Sequence, residues 1–263
     1  MNHESEKKHS LYLMIGNSRL HWAWFQGDNL KEIWHQKHLI EPQKKEQVPS
    51  ILLPDNLLKD SADKLSLYIA SVVPSQTLLW QKYPQSKIIE LAQIPLEGIY
   101  PTLGIDRALA ILGAGEKYGF PCLVIDVGTA LTITGAGANR QLIGGAILPG
   151  LQLQFQSLAT KTAALPALKL PKKLPPRWAL NTPDAIASGI LYTILAGIGT
   201  YIINWQASFA NSPIIFTGGD TDLLQQYFQV EYPEIAPQVI GDHELIFWGM
   251  KAATNNQLKS NFQ

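Results

Sequence analysis

"LYLMIGNSRLHWAW" at residues 11–24 and "VIDVGTALTITG" at residues 124–135 are written to one pattern. Each opens as an apolar run, bends at a glycine followed by small or polar residues, and leaves as a second run with apolar residues at alternate places. That is a strand, a tight turn and a returning strand. Laid on each other, Gly16 falls on Gly128, Asn17 on Thr129, Ser18 on Ala130 and Met14 on Asp126. Two matched hairpins in one chain predict an internal duplication. A glycine bend also lets backbone N–H groups approach phosphate oxygens, with small hydroxyl and amide side chains as further donors. Taken singly, Gly-Asn-Ser is an ordinary hairpin turn; the pair points to a nucleotide gripped from two sides.

Outward from the first hairpin, further strands are expected over Lys31–His38 and Leu65–Val73. After Pro74, "SQTLLWQKY" reads as a helix opened by a serine cap, and "KIIEL" as a strand. "GIDRALAILGAGEKYG" at 104–119 puts Ala108, Ile111, Leu112 and Gly115 on one helical face, with Gly119 as a stop. The second half repeats the order: "CLVIDV" and the run after the turn as strands, then "GGAILPG" as strand and turn. Helices follow over 151–165 and 182–202, and "PIIFTGGD" is a late strand ending at Gly218-Gly219. "LKLPKKLPPRWALNTPD" at 168–184 is proline-rich and basic, so it is neither helix nor central strand. It reads as a surface connection, with Trp178, just before Thr182, at the rim of a candidate substrate site.

A chain of 263 residues, 46% of them hydrophobic, buries a sizeable core and suits one large or two small domains. Lys plus Arg and Asp plus Glu both number 21, so no field of one sign covers the molecule; nucleic acid is not an expected partner, and a small neutral or singly charged substrate is. The single cysteine, Cys122, excludes an internal disulfide and a zinc site of several thiolates, and reads as a buried small hydrophobe. "MNHESEKKHS" opens the chain with no cleavable apolar segment behind it, and no uninterrupted apolar run reaches about 18 residues. The expectation is a cytoplasmic protein without a membrane partner, its residues 1–9 a flexible tail.

Two acids stand out. Asp106 opens a helix beside Arg107, where a carboxylate also satisfies the helix dipole. Asp126 lies among apolar residues in "LVIDVG", where a carboxylate costs several kcal/mol unless it meets a cation or converging donors. The histidines show no metal-ligand spacing, and neither Gly-x-Ser-x-Gly nor a Walker-type phosphate loop is present. Phosphate chemistry here must be of another kind.

Together "IGNSR", "YPTLGIDRALAILGA", "IDVGTALTIT", "GGAILPGLQLQFQSLATKTAALP", "NTPDAIASGI" and "FTGGD" resemble, in order, the motifs of the type III pantothenate kinases. That resemblance implies an α/β fold of the actin-like and sugar-kinase-like ATPase superfamily: two duplicated ribonuclease-H-like domains, mixed sheets flanked by helices, over 10–118 and 119–258. It implies phosphorylation of pantothenate by ATP to 4′-phosphopantothenate, the opening step of coenzyme A synthesis, in a homodimer. By the resemblance Asp106 is the general base, and Tyr100, Gly104, Ile105, Arg107 and Thr182 contact pantothenate, Thr182 from the partner subunit. Met14, Ile15, Gly16, Asn17, Ser18, Arg19, Leu20 and His21, with Thr129, surround the nucleotide; Asp126 binds a monovalent cation, potassium or ammonium. Mg2+ accompanies ATP. The family begins its first turn Asp-x-Gly-Asn-Thr, whereas this chain has Met14, a thioether unable to ligate magnesium. That departure keeps a second reading open, a catalytically silent nucleotide-binding regulator, and fold alone leaves a third, a kinase for another small molecule.

Overall fold

The computed structural model describes residues 9–39, 53–54, 57, 65–81, 83 and 86–260. Residues 1–8 of the expected tail lie outside the described residues. Two compact units form: the first holds the chain up to Pro95, Pro101–Leu109 and the stretch from Gly249; the second holds Leu96–Tyr100 and Ala110–Trp248.

In the first unit, β1 (His9–Ile15), β2 (Leu20–Gln26), β3 (Asn29–Gln36), β4 (Ser66–Ser71) and β5 (Ser86–Ile88) make one sheet in the order β3-β2-β1-β4-β5. β1, β2 and β3 run as an antiparallel meander, and β4 and β5 join parallel to β1. In the second unit, β6 (Cys122–Val127), β7 (Ala130–Ala136), β8 (Leu142–Pro149), β9 (Ile214–Thr217) and β10 (Val239–Gly241) take the order β8-β7-β6-β9-β10. The meander and the parallel additions are repeated strand for strand. This is the internal duplication that the two hairpins predict, in the fold that the family resemblance implies.

The turns themselves differ. Ile15 pairs with Leu20, but Val127 pairs with Leu131, so the first turn is one residue longer than the second. Gly16 N–H donates to Arg19 O at 3.0 Å, and Gly128 N–H to Ala130 O at 3.1 Å. Arg19, not Ser18, therefore corresponds to Ala130. Before the turn the overlay is right: Val72 N–H donates to Ile15 O and Asp220 N–H to Val127 O, both at 3.0 Å. Met14 and Asp126 thus hold equivalent places, next to last on equivalent strands.

Period-two alternation decides which face each residue serves. Leu11, Leu13 and Ile15 enter one core with Leu20, Trp22, Ile69 and Trp80, while Tyr12 and Met14 take the other face. Leu123, Ile125 and Val127 likewise enter the second unit's core, leaving Asp126 on the opposite face. Both faces of these strands are covered, which is why the sequence shows nearly continuous apolar runs there.

The helices are α1 (Pro74–Trp80), α2 (Ile105–Tyr118), α3 (Leu151–Lys161), α4 (Thr182–Ser208), α5 (Thr221–Glu231) and α6 (Leu245–Ser260). α1 is shorter than expected, and Val73 rather than a serine is its N-cap, because Pro74 already occupies the first turn, where its missing N–H costs nothing. α4 outlasts its expected end at 202. Its most apolar stretch has a mean hydropathy of 1.8 and is 56% buried in the protein. Ile186, Ile190, Leu191, Ile194, Ile198 and Ile202 line the second core, so α4 is a core helix. Gly199 does not break it, for the glycine makes room for the Tyr232 ring, 2.6 Å from where a Cβ would stand.

Candidate functional site

Around the first turn, Asn17, Ser18 and Arg19 are exposed, whereas Met14 is 3% exposed. Ile15 and Leu20 point into the core, so only their backbone is available to a ligand. His21 lies opposite Met14 across the ladder and also opposite His35 on β3, and the two Nδ1 atoms are 3.0 Å apart. Burial above all, then the neighbouring His35, Arg19 and His38, lowers the His21 pKa to about 4. His21 is therefore uncharged at neutral pH and stands beside the turn as a polar wall. His38 reaches back 22 residues and its Nε2 donates to Gly16 O at 2.8 Å.

The start of α2 carries the other first-unit candidates. Gly104 O accepts the N–H of Ala108, and Asp106 Oδ1 accepts the N–H of Arg107 at 2.8 Å. A first-turn acid satisfying a backbone donor is a sound helix start, and it also fixes where the carboxylate points. A Cβ on residue 104 would fall 2.4 Å from Asp106 Oδ1, so glycine is needed for that carboxylate position. Arg107 is 5% exposed and Ile105 half-buried.

In the second unit, Asp126 is half-buried and stands between Thr132 on β7 and Thr217 on β9 in the register of the sheet. Its apolar sequence neighbours point the other way, so the carboxylate's surroundings are more polar than the run "LVIDVG" suggests. The equivalent Met14 stands between His21 and Ala70. Gly218, at φ +97°, brings the β9–α5 turn over Asp126: a Cβ there would lie 2.4 Å from Asp126 Oδ1 and 2.7 Å from Val127 O. Gly150 packs equally closely on the second hairpin, donating its N–H to Thr129 O at 2.9 Å. Asp126, Thr129 and the Gly218-Gly219 turn thus form one cradle at the carboxyl ends of β6 and β9, the end of a sheet where α/β proteins hold ligands. Sequence reading named the first two and left Gly150 and Gly218 without a role; a glycine closing a strand in both "LPG" and "FTGGD" was the available signal.

Thr182 is the first residue of α4, whose N-cap Asn181 accepts the N–H of Asp184. With Leu165, Leu180 and Ile186 it lines an open surface hollow. The proline-rich connection before it is fastened to the helices. Ser188 donates to Arg177 O, Tyr192 to Pro175 O and Tyr227 to Pro171 O, and Arg177 pairs with Glu231. Trp178 and Leu180 are left outside, 89% and 102% exposed. Tyr100 is also exposed, at 41%. Among the described residues no group of three or more His, Cys, Asp or Glu could hold a metal ion.

The family model of type III pantothenate kinase matches residues 10–204. A type III pantothenate kinase of Nostoc sp. is 48% identical, with 92% of each chain covered, and that of Synechocystis sp. is 45% identical over 94% of this chain and 91% of the relative. Among solved structures, a conserved protein of the Baf family from Campylobacter jejuni superposes with a TM-score of 0.61 at 23% identity, covering 95% of this chain and 99% of that one. MreB5 of Spiroplasma citri bound to ADP superposes with a TM-score of 0.51 at 11% identity, with 98% of this chain and 99% of that one covered. These two share the fold, a pair of five-stranded mixed sheets flanked by helices. The repeated topology, the two glycine turns and a match running from the first strand into α4 have one explanation: the chain belongs to the type III pantothenate kinase family.

Proposed function

We infer that this protein is an ATP-dependent pantothenate kinase, forming 4′-phosphopantothenate in the first step of coenzyme A synthesis. The observation that carries the reading is the family match over residues 10–204. It favours the enzyme over the silent regulator.

In the proposed site, Asp106 accepts the proton of the pantothenate hydroxyl as that oxygen attacks the γ-phosphate. Its tie to the Arg107 N–H supports this role by holding the carboxylate in one direction. Arg107 and Gly104, with Ile105 and Tyr100, hold pantothenate, and Thr182 does so from the partner subunit of a homodimer. The first turn, Thr129 and the Gly218-Gly219 turn hold ATP. Asp126 beside backbone carbonyls suits a large, weakly hydrated cation such as potassium or ammonium, which would neutralise phosphate charge. Mg2+ would be held mainly by ATP oxygens and water, since Met14 offers it nothing. We assign the enzyme to the cytoplasm, where both substrates are at hand.

One coupled assay of the purified protein with pantothenate and Mg-ATP tests these roles together. Product should form faster in potassium than in sodium or choline chloride. Asp106→Asn should lose about 10²–10⁴-fold in rate, as a removed general base does, with an unchanged melt. A loss under about tenfold removes Asp106 from the role of base, equal rates in the three salts remove the cation from Asp126, and no product in the wild type overturns the function.

A further inference from the structure

Gly16 is held on three sides. Its N–H is taken by Arg19 O at 3.0 Å, and its carbonyl by His38 Nε2 at 2.8 Å. The His21 ring closes the third side, Nε2 lying 3.3 Å from where a Cβ would stand, and is itself tied to His35. The His38 bond decides more than one atom's position. Gly16 C=O and Asn17 N–H belong to one planar trans peptide and point in opposite directions. A donor fixed on the carbonyl therefore aims the Asn17 N–H away from His38, in a turn whose residues Asn17 and Ser18 are exposed. Without it the Gly16–Asn17 peptide loses that restraint, and glycine accepts most backbone angles.

We propose that His38 is a positioning residue for the phosphates of ATP, setting the Gly16–Asn17 peptide so that the first turn presents its backbone donor to them. The inference rests on the reading of that turn as part of the ATP site. His38 touches no substrate and acts through the peptide it holds. A donor of similar reach can replace it, and a side chain without one cannot.

Steady-state kinetics of three variants test this. His38→Ala should raise KM for ATP about fivefold, the worth of one ordinary hydrogen bond, with kcat, KM for pantothenate and the melting temperature little changed. His38→Gln, whose amide N–H can reach the same carbonyl, should restore KM for ATP. Ser18→Glu places a carboxylate on the exposed turn and should raise KM for ATP by repulsion. If Ser18→Glu raises it while His38→Ala does not, the role of His38 falls and the ATP site stands. If Ser18→Glu leaves it unchanged in a folded protein, the reading of the turn falls. A His38→Ala variant that loses stability and kcat and is not rescued by glutamine makes His38 a structural residue only, and overturns the proposal.

Discussion

Met14 and Asp126 hold the same place in the two halves, yet one is a thioether at 3% exposure beside His21 and Ala70, and the other a half-buried acid between two threonines. The surroundings have diverged with the residue. A carboxylate placed at Met14 would enter a buried place whose ladder neighbours are His21, about 5 Å away, and Ala70. Met14→Asp should therefore lower stability by about 1–3 kcal/mol at pH 8 and bring no gain in ATP affinity. The sign of its pH dependence follows from the pair: as pH falls the new acid can bind a proton, and His21, held down to about 4 in the native chain, can charge beside it. The penalty should be smaller at pH 5 than at pH 8. Melts of both proteins at the two values check this; a variant as stable as the native chain at pH 8 would show the place to be roomier and wetter than its burial implies. The places of Asp106, in the first turn of a helix, and of Asp126, within a strand, were legible from sequence because each is an acid in a telling local context. His38 was not, because its partner Gly16 lies 22 residues away on a turn whose need for an outside donor no local pattern records.

Strands and helices were read from their periods, and the errors fall where a period says nothing. One extra residue in the first turn shifts the overlay after Gly16, and only the pairing of Ile15 with Leu20 reveals it. α4 runs on past 202 because its later face, Ile202 and Trp205, still meets the core. The glycines of the second hairpin's cradle belong to this scale, since three separate elements meet there. A methyl on Gly150, the N-cap of α3, would stand 2.0 Å from Gly128 O and 2.7 Å from Thr129 O. Gly150→Ala should push the second turn out of place, lowering both the melting temperature and the rate in potassium. Gly189, inside α4 with nothing within 4 Å, is the control. Its change to alanine should raise stability by about 0.5–1 kcal/mol and leave kinetics alone. Thermal melts with assays on the pair decide it, and an undisturbed Gly150→Ala would mean that the cradle gives way easily.

The molecule as a whole is one sheet design used twice, and that much was legible because a duplicated hairpin leaves a repeated pattern. Its assembly is a different matter: Trp178 and Leu180 stand almost wholly exposed beside Thr182, as residues awaiting a covering surface do. In the proposed homodimer, sedimentation should give twice the monomer mass, and dilution to the monomer should change the Trp178 fluorescence; a monomer at assay concentration would take Thr182 out of any partner's site. Cys122 carries a consequence of another sort. It is the chain's one thiol, fully buried, bonded weakly to Ile111 O, and burial pushes its pKa up to about 12. The folded protein should therefore resist alkylating reagents, while an opened chain exposes one thiol for a single permanent tag. With reagent concentrated enough for tagging to outpace reclosing, a mass spectrometer counting that single adduct over time reads the opening rate of the second unit, with no label engineered into the protein.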